Sequence, residues 1–139
     1  MPIDAATARL ARTRAGGRCE YCRLPASASL LSFTFDHIIA RQHGGADDAD
    51  NISIACPTCN SSKGPNIASI VAATGELVRL YHPRRDRWSE HFAWDGPWLC
   101  GLTEIGTATI RVLAINREDA VDFRWHLMAE GVSFVLPSD

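Results

Sequence analysis

Lysine is almost missing from this chain. Of its fourteen basic residues thirteen are Arg, and Lys63 stands alone. A strong net charge is missing too: 14 Lys plus Arg against 16 Asp plus Glu leave a formal −2. That argues against a uniformly basic nucleic-acid binder, although a near-neutral protein can still turn a basic face to phosphate. No stretch approaches the roughly 20 apolar residues of a membrane span. Met1 to Gly17 carries scattered Arg and no apolar h-region, so neither a membrane nor an export signal is expected, and the expected location is cytoplasmic. Repeats, low-complexity runs and a clean linker are also lacking. With 46% hydrophobic and 22% charged residues over 139 positions, the chain reads as one soluble globular domain with room for an appendage. A disordered tail, a collagen-like repeat and a disulfide-dense miniprotein are excluded.

What charge there is sits unevenly. Arg9, Arg12, Arg14, Arg18 and Arg23 meet only Asp4 and Glu20 in the first thirty residues, and Arg79, Arg84, Arg85 and Arg87 form a second group. Acids gather at Asp47, Asp48 and Asp50 and again at Glu118, Asp119 and Asp122. Taken alone, this pattern is accounted for by Arg serving as the ordinary surface cation.

The five cysteines are more specific. Cys19 and Cys22 form one C-x2-C pair, Cys56 and Cys59 a second. Two residues between cysteines let both thiolates of a knuckle face one tetrahedral ion, and two knuckles close a four-sulfur structural zinc site. A redox C-x-x-C is the rival for one pair alone but not for two in a small chain, and disulfides are disfavoured without an export signal. Cys100, within the apolar run Trp98 to Leu102, reads as a small buried residue. Four thiolates leave no open position on the ion, so chemistry is sought between or beside the knuckles.

Between them, Ser32 to Ala40 (SFTFDHIIA) is rich in β-formers and reads as a strand carrying adjacent Asp36 and His37. RQHGGADDAD, residues 41–50, is a Gly- and Asp-rich loop; Asn51 and ISIAC lead into the second knuckle. PTCNSSK, residues 57–63, has Pro at a helix start and stops at Gly64-Pro65. Taken singly, Asp36-His37 is a hydrogen-bonded surface pair, Asn51 a turn residue and Asn60 a helix cap. Together, and in this order between two knuckles, they resemble the HNH endonuclease family. The resemblance runs from Cys19 to Gly64, through CEYC and FDHIIARQHGGADDADNISIACPTCNSSKG. Downstream, GELVRLYHPRRDRWSEHFAWDG looks like the tail of small stand-alone bacterial members.

The resemblance implies a ββα-metal (HNH, His-Me finger) core clasping a divalent ion. It implies that His37 is the general base that activates water, that Asn51 orients it, and that Asp36 is a ligand of the catalytic ion. Asn60 stands where the third motif letter is usually His; its carbonyl oxygen suits Mg²⁺ or Mn²⁺ over a softer metal. Ala40 replaces a common Pro, with little consequence expected. Lys63, Arg41, His43, Arg84, Arg85 and Arg87 are candidate phosphate or DNA contacts, with a solvated loop the competing reading for His43 and for the three later arginines. Neighbouring strand residues point to opposite faces. Asp36 and His37 can therefore serve one phosphate only if the strand twists or bulges there.

The expected fold is α+β. Residues 1–73 would form the HNH core with an N-terminal helix (Leu10 inward), and residues 74–139 a hairpin and two-helix extension packed on it. A brief helix is expected at residues 66–73, a hairpin turn at Asp95-Gly96, and helices near 107–115 and 117–130. Asn116 would cap the last helix, and Val121, Trp125 and Met128 would form its core face. The expected activity is hydrolytic nicking or cutting of DNA with structural Zn²⁺ and a catalytic Mg²⁺ or Mn²⁺. The alternative is a non-catalytic zinc-stabilised module that binds DNA or protein. Oligomeric state and target preference are not encoded legibly.

Overall fold

A computed structural model describes residues 3–137. Helix α1 (Ala5–Ala15) opens where Asp4 accepts a hydrogen bond from the Thr7 amide at 2.8 Å, and closes at Gly16 in the left-handed region, φ 61°. The first knuckle follows. Strands β1 (Thr34–His37) and β2 (Ile52–Ala55) pair antiparallel, and helix α2 (Pro57–Lys63) starts directly after β2 with Cys56 as its N-cap. The register runs Thr34↔Ala55, Phe35↔Ile54, Asp36↔Ser53 and His37↔Ile52 without a bulge.

The tail carries two further hairpins and three helices. Strand β3 (Ala68–Ile70) pairs with β4 (Leu77–Arg79), and β5 (Phe92–Asp95) with β6 (Trp98–Gly101). The four-residue helix α3 (Trp88–His91) precedes β5, and α4 (Glu104–Val112) and α5 (Glu118–Ala129) follow β6, ahead of a last segment that buries Phe134. The protein is thus a mixed α+β structure. No helix among the described residues is long and apolar enough to cross a membrane.

Several expectations are corrected. Residues 66–73 contribute strand β3 instead of a helix. Ile67, Ile70 and Val71 are β-branched, and Gly75 at φ 74° turns the chain back so that β4 can pair. In α1 it is Ala11 that is buried, while Leu10 stays exposed. In α5 the buried face is Val121, Arg124 and Leu127, and Trp125 lies out at 56% exposure. Asn116 is not the cap of α5; that position is Arg117, and the Asn116 amide bonds both backbone groups of Leu99, at 3.0 and 2.7 Å. Cys100 is exposed, on the outward side of β6 next to buried Leu99. The Asp95-Gly96 turn is present as expected, with Gly96 at φ 57°.

Two apolar clusters meet at β2. Ala11 of α1 packs on Ile52 and Ile54, with Phe33 and Phe35 alongside. The other cluster joins the four knuckle cysteines and Tyr21 to Leu80, Tyr81, Trp88, Phe92, Leu99, Leu113 and Ile115 of the tail. The tail and the knuckles therefore share one core.

The edge of β2 away from β1 would bury unpaired backbone groups, at a cost of roughly 1–3 kcal/mol each. Three bonds pair the Ile54 amide and carbonyl and the Ile52 carbonyl. The Glu20 amide donates to the Ile54 carbonyl at 2.9 Å, the Ile54 amide to Glu20 Oε2 at 2.8 Å, and Arg84 Nε to the Ile52 carbonyl at 3.2 Å. Arg84 Nη2 also grips both Glu20 oxygens, at 2.6 and 2.5 Å. This ion pair is buried, so removing one partner strands the other's charge. Arg84→Ala is expected to lose about 3–5 kcal/mol in urea unfolding. The double variant Glu20→Gln with Arg84→Met should recover a large part of that loss; an unchanged midpoint in Arg84→Ala would refute the role of this pair.

Arg79 holds Asp86 through two bonds, at 2.7 and 2.9 Å, and thereby keeps the Asp86 carboxyl below the usual carboxylate range. A lowered folded pKa contributes stability above the unfolded value, near 3.8, and loses it as pH falls through the folded value. Asp86→Asn should therefore lower Tm at neutral pH, and the gap to the wild type should close as pH drops below 4. A gap independent of pH would contradict this linkage.

Candidate functional site

The two knuckles bring their sulfurs together. The Arg23 amide donates to the Cys19 carbonyl at 3.0 Å, and Arg23 itself adopts φ 67°, a left-handed turn that folds Cys22 back toward Cys19. Cys56 caps α2, with its sulfur accepting from the Cys59 amide at 3.4 Å. All four sulfurs lie within 4.8 Å of one another and all four residues are buried; Cys22 Sγ and Cys56 Sγ are 3.7 Å apart. A tetrahedral zinc with Zn–S near 2.3 Å demands S···S edges of about 3.8 Å. The donor set therefore fits one metal ion. Contacts among the sulfurs, those of Cys19 foremost, push the Cys22 and Cys59 thiols above the ordinary range and hold Cys56 below it.

Asp36 and His37 leave β1 on opposite faces, as the unbroken register requires. Asp36 is buried. Its Oδ2 accepts from the Tyr21 hydroxyl at 2.8 Å and from the Ser53 hydroxyl at 3.4 Å, and its Oδ1 lies 3.3 Å from Lys63 Nζ. Burial pushes the Asp36 carboxyl up, and the Lys63 ammonium pulls it back. Lys63 is 1% exposed and also donates to the carbonyls of His37 and Ile38, both at 3.2 Å. The lone lysine therefore does not present its charge at the surface, contrary to its expected role as a phosphate contact.

His37 stands half-buried on the other face. Its Nε2 meets Asp47 Oδ1 at 2.7 Å, and Arg41 Nε reaches the same oxygen at 2.9 Å. Those two bonds, the His37 one first, lower the Asp47 pKa. No hydrogen bond of His37 Nδ1 is present among the described residues. Asn51 is buried and acts on the backbone beside His37. Its Oδ1 accepts from the Ile39 amide, and its Nδ2 donates to the Ile39 and Ala46 carbonyls, each at 2.8 Å. Gly45 completes this staple, since a Cβ there would meet the Ile39 carbonyl oxygen at 1.7 Å. Asn60 lies one turn before Lys63 on the same face of α2, half-buried and with no side-chain hydrogen bond among the described residues.

The remaining candidates separate. Arg41 is exposed and tied to Asp47; His43 is exposed in the short 3-10 turn Arg41–His43. Arg85 and Arg87 are exposed. Arg84 is committed to Glu20 and β2, so it is a structural residue and not a surface contact. Four participants escaped the sequence reading: Glu20, Tyr21, Ser53 and Asp47. Glu20 and Tyr21 sit inside the C-x2-C pair itself, and Ser53 is the inward polar position of an otherwise apolar strand. Those were the available signals. Asp47 belongs to a run of acids that reads as loop solvation; Asp48, which caps the turn Ala49–Asn51, does fit that reading.

A catalytic divalent ion can be tested against these donors. Asp36 and Asn60 offer hard oxygens of the kind Mg²⁺ and Mn²⁺ prefer. Asp36 Oδ1 and the His37 and Ile38 carbonyls already surround one cation, the Lys63 ammonium. The donor chemistry fits a divalent ion, and Lys63 is the charge with which it would share Asp36.

Residues 19–66 match the family model described as HNH endonuclease. No curated protein and no solved structure matches the chain. The matched stretch contains all four sulfurs, Asp36, His37, Asn51, Asn60 and Lys63.

The sulfur cluster yields a direct test. Metal analysis of the purified protein should find about one tightly held ion per chain. Cys56→Ser should lose it together with cooperative thermal unfolding. Unchanged metal content and Tm in the variant would exclude the four-sulfur site.

Proposed function

We propose, from the premise that residues 19–66 form an HNH endonuclease domain, that the protein is a metal-dependent endonuclease hydrolysing DNA phosphodiester bonds. In this reading β1, β2 and α2 are the ββα unit, the four cysteines hold structural zinc, and residues 74–139 are an extension packed on a core of residues 1–73. The location is cytoplasmic and the partner is DNA. The observation that carries the reading is the fixed His37: an imidazole held at Nε2 by Asp47, at the end of β1 within the matched stretch.

His37 is the general base. It takes a proton from a water that attacks the scissile phosphorus; the bond from phosphorus to the 3′-oxygen breaks, and that oxygen takes a proton from solvent water, leaving a 5′-phosphate and a 3′-hydroxyl. Asp36 and Asn60 would hold the divalent ion, Mg²⁺ or Mn²⁺, which supplies stabilisation of charge on the phosphate and the leaving oxygen. Because Asp36 and His37 leave the unbulged β1 on opposite faces, serving one phosphate requires the end of β1 to twist when the ion and substrate bind. Asn51 orients His37 through the backbone of Ile39, and Asp47 positions the ring by fixing one nitrogen. The second reading, a non-catalytic module binding DNA or protein, is favoured by one observation: the Asp36 carboxylate is already neutralised by Lys63.

The test is nicking of supercoiled plasmid with Mg²⁺ or Mn²⁺, comparing the wild type with His37→Ala. The wild type should be metal-dependent and the variant at least about 100-fold slower. Asp47→Ala should lose about 10- to 100-fold, mainly in kcat with KM little changed. Equal rates for wild type and His37→Ala would reject the base assignment. No cleavage of supercoiled, branched or single-stranded DNA would favour the binding module.

A further inference from the structure

Away from His37, helix α1, the first knuckle and the segment before α3 border an open cavity of about 240 Å³. Its charged lining is Arg14, Arg23, Arg84, Arg87, Glu20 and Asp86. Both acids are already matched, Glu20 by Arg84 and Asp86 by Arg79. Arg14 and Arg87 have no carboxylate partner among the described residues. Arg14 Nη2 donates to the Ala49 carbonyl, but its Nε is buried with no hydrogen-bond partner. Arg23 lies with its guanidinium 4.7 Å from the centre of the Trp88 ring, a contact that holds the side chain against the wall of the cavity. Desolvation and the nearby Arg84 charge push the Arg14 pKa down, against the opposing pull of the Glu20 and Asp50 carboxylates.

We propose that this cavity binds one phosphoryl group, and that its source is the nucleic-acid backbone. The volume is below the roughly 300–1,000 Å³ of pockets that take a drug-sized organic ligand, which favours a small oxyanion. The guanidinium forks of Arg14 on α1 and Arg87 just before α3 line the same cavity, and such forks suit the oxygens of a phosphoryl group. The location suits a substrate strand. Arg84 holds the Ile52 carbonyl on one edge of β2, and His37 pairs with Ile52 across the other. The cavity is thus on the order of 10 Å from the His37 strand, from a strand spacing near 4.8 Å. That is about three nucleotides of rise along one strand at 3.4 Å each. The oxyanion site stands on its own residues; its assignment to the substrate backbone rests on the nuclease reading.

The probe for the site is inorganic phosphate, titrated into the full chain at ionic strength matched with chloride and followed by calorimetry and Tm. The probe for the source is a short DNA duplex, with binding measured across salt concentration in the His37→Ala background. Two variants are compared: Arg14→Gln, and Arg87→Gln, whose side chain makes no hydrogen bond or ion pair among the described residues and so leaves the fold intact. The expected result is saturable phosphate binding that weakens at least tenfold in either variant. The slope of log Kobs against log salt should then be shallower by about 0.9, the loss of one phosphate contact. Phosphate binding with an unchanged DNA slope would overturn the backbone assignment and point to free phosphate. No saturable phosphate binding and no change in slope would overturn the site itself. Neither readout depends on cleavage, so failure of the nuclease reading in the plasmid test remains distinguishable.

Discussion

Everything near His37 is referred back to four sulfurs that bring Cys22 and Cys56, 34 residues apart, to 3.7 Å. With the cysteines fixed, the two residues between them are aimed as well. Glu20 turns to the free edge of β2 and to Arg84. Tyr21 turns its hydroxyl to Asp36 and its carbonyl to Trp88 Nε1, at 2.8 and 2.9 Å. A single four-residue knuckle therefore supplies two sulfurs, one strand-edge clamp and one carboxylate partner. A metal bound there would order β1, β2, α2 and the start of the tail together, because each of them touches the knuckle.

The second constraint is the two-residue period of a strand. It sends Asp36 inward and His37 outward, and each carboxylate–cation contact forms on its own side. Inside, Asp36 and Lys63 form a buried pair that is neutral overall, and Tyr21, Ser53 and two carbonyls take up further hydrogen-bonding capacity. Outside, Asp47 meets both His37 and Arg41, and its lowered pKa keeps it charged across the range where an imidazole works. A divalent ion at Asp36 and a phosphate beside His37 would each have to compete with a side chain already in place. Lys63 and Asp47 thus set the electrostatics of the two faces.

The motif was legible because its signals are local. C-x2-C spacing, Pro at the start of α2 and Gly64 at its end, and Asp95-Gly96 at a hairpin are all properties of a few consecutive residues. What stayed hidden is long-range. Residues 66–73 look helical until β4 is there to pair with them. Arg84 looks like a surface arginine, and nothing within ten residues of it shows that Glu20 is its partner. Trp125 looks like a core residue of α5, yet the buried position is Arg124, whose guanidinium donates to the Pro97 and Ile115 carbonyls at 2.8 and 3.0 Å. Residue type predicts burial poorly when a charged group carries enough donors to satisfy several carbonyls at once.

The near-absence of lysine acquires a meaning in the same terms. Arg14, Arg84 and Arg124 all lie partly or wholly within the protein while donating to backbone carbonyls. A planar fork with five donors, less strongly hydrated than an ammonium, can do this; a lysine's compact charge does so less readily. The one lysine is the exception that fits the rule. Lys63 is buried where three oxygens converge on a point, Asp36 Oδ1 and two carbonyls, and there a compact ammonium with three donors is the better match. The family match ends at residue 66, but the edge of β2 is sealed by Arg84 and the first knuckle is held by Trp88. The residues outside the match are therefore part of what holds His37 in place.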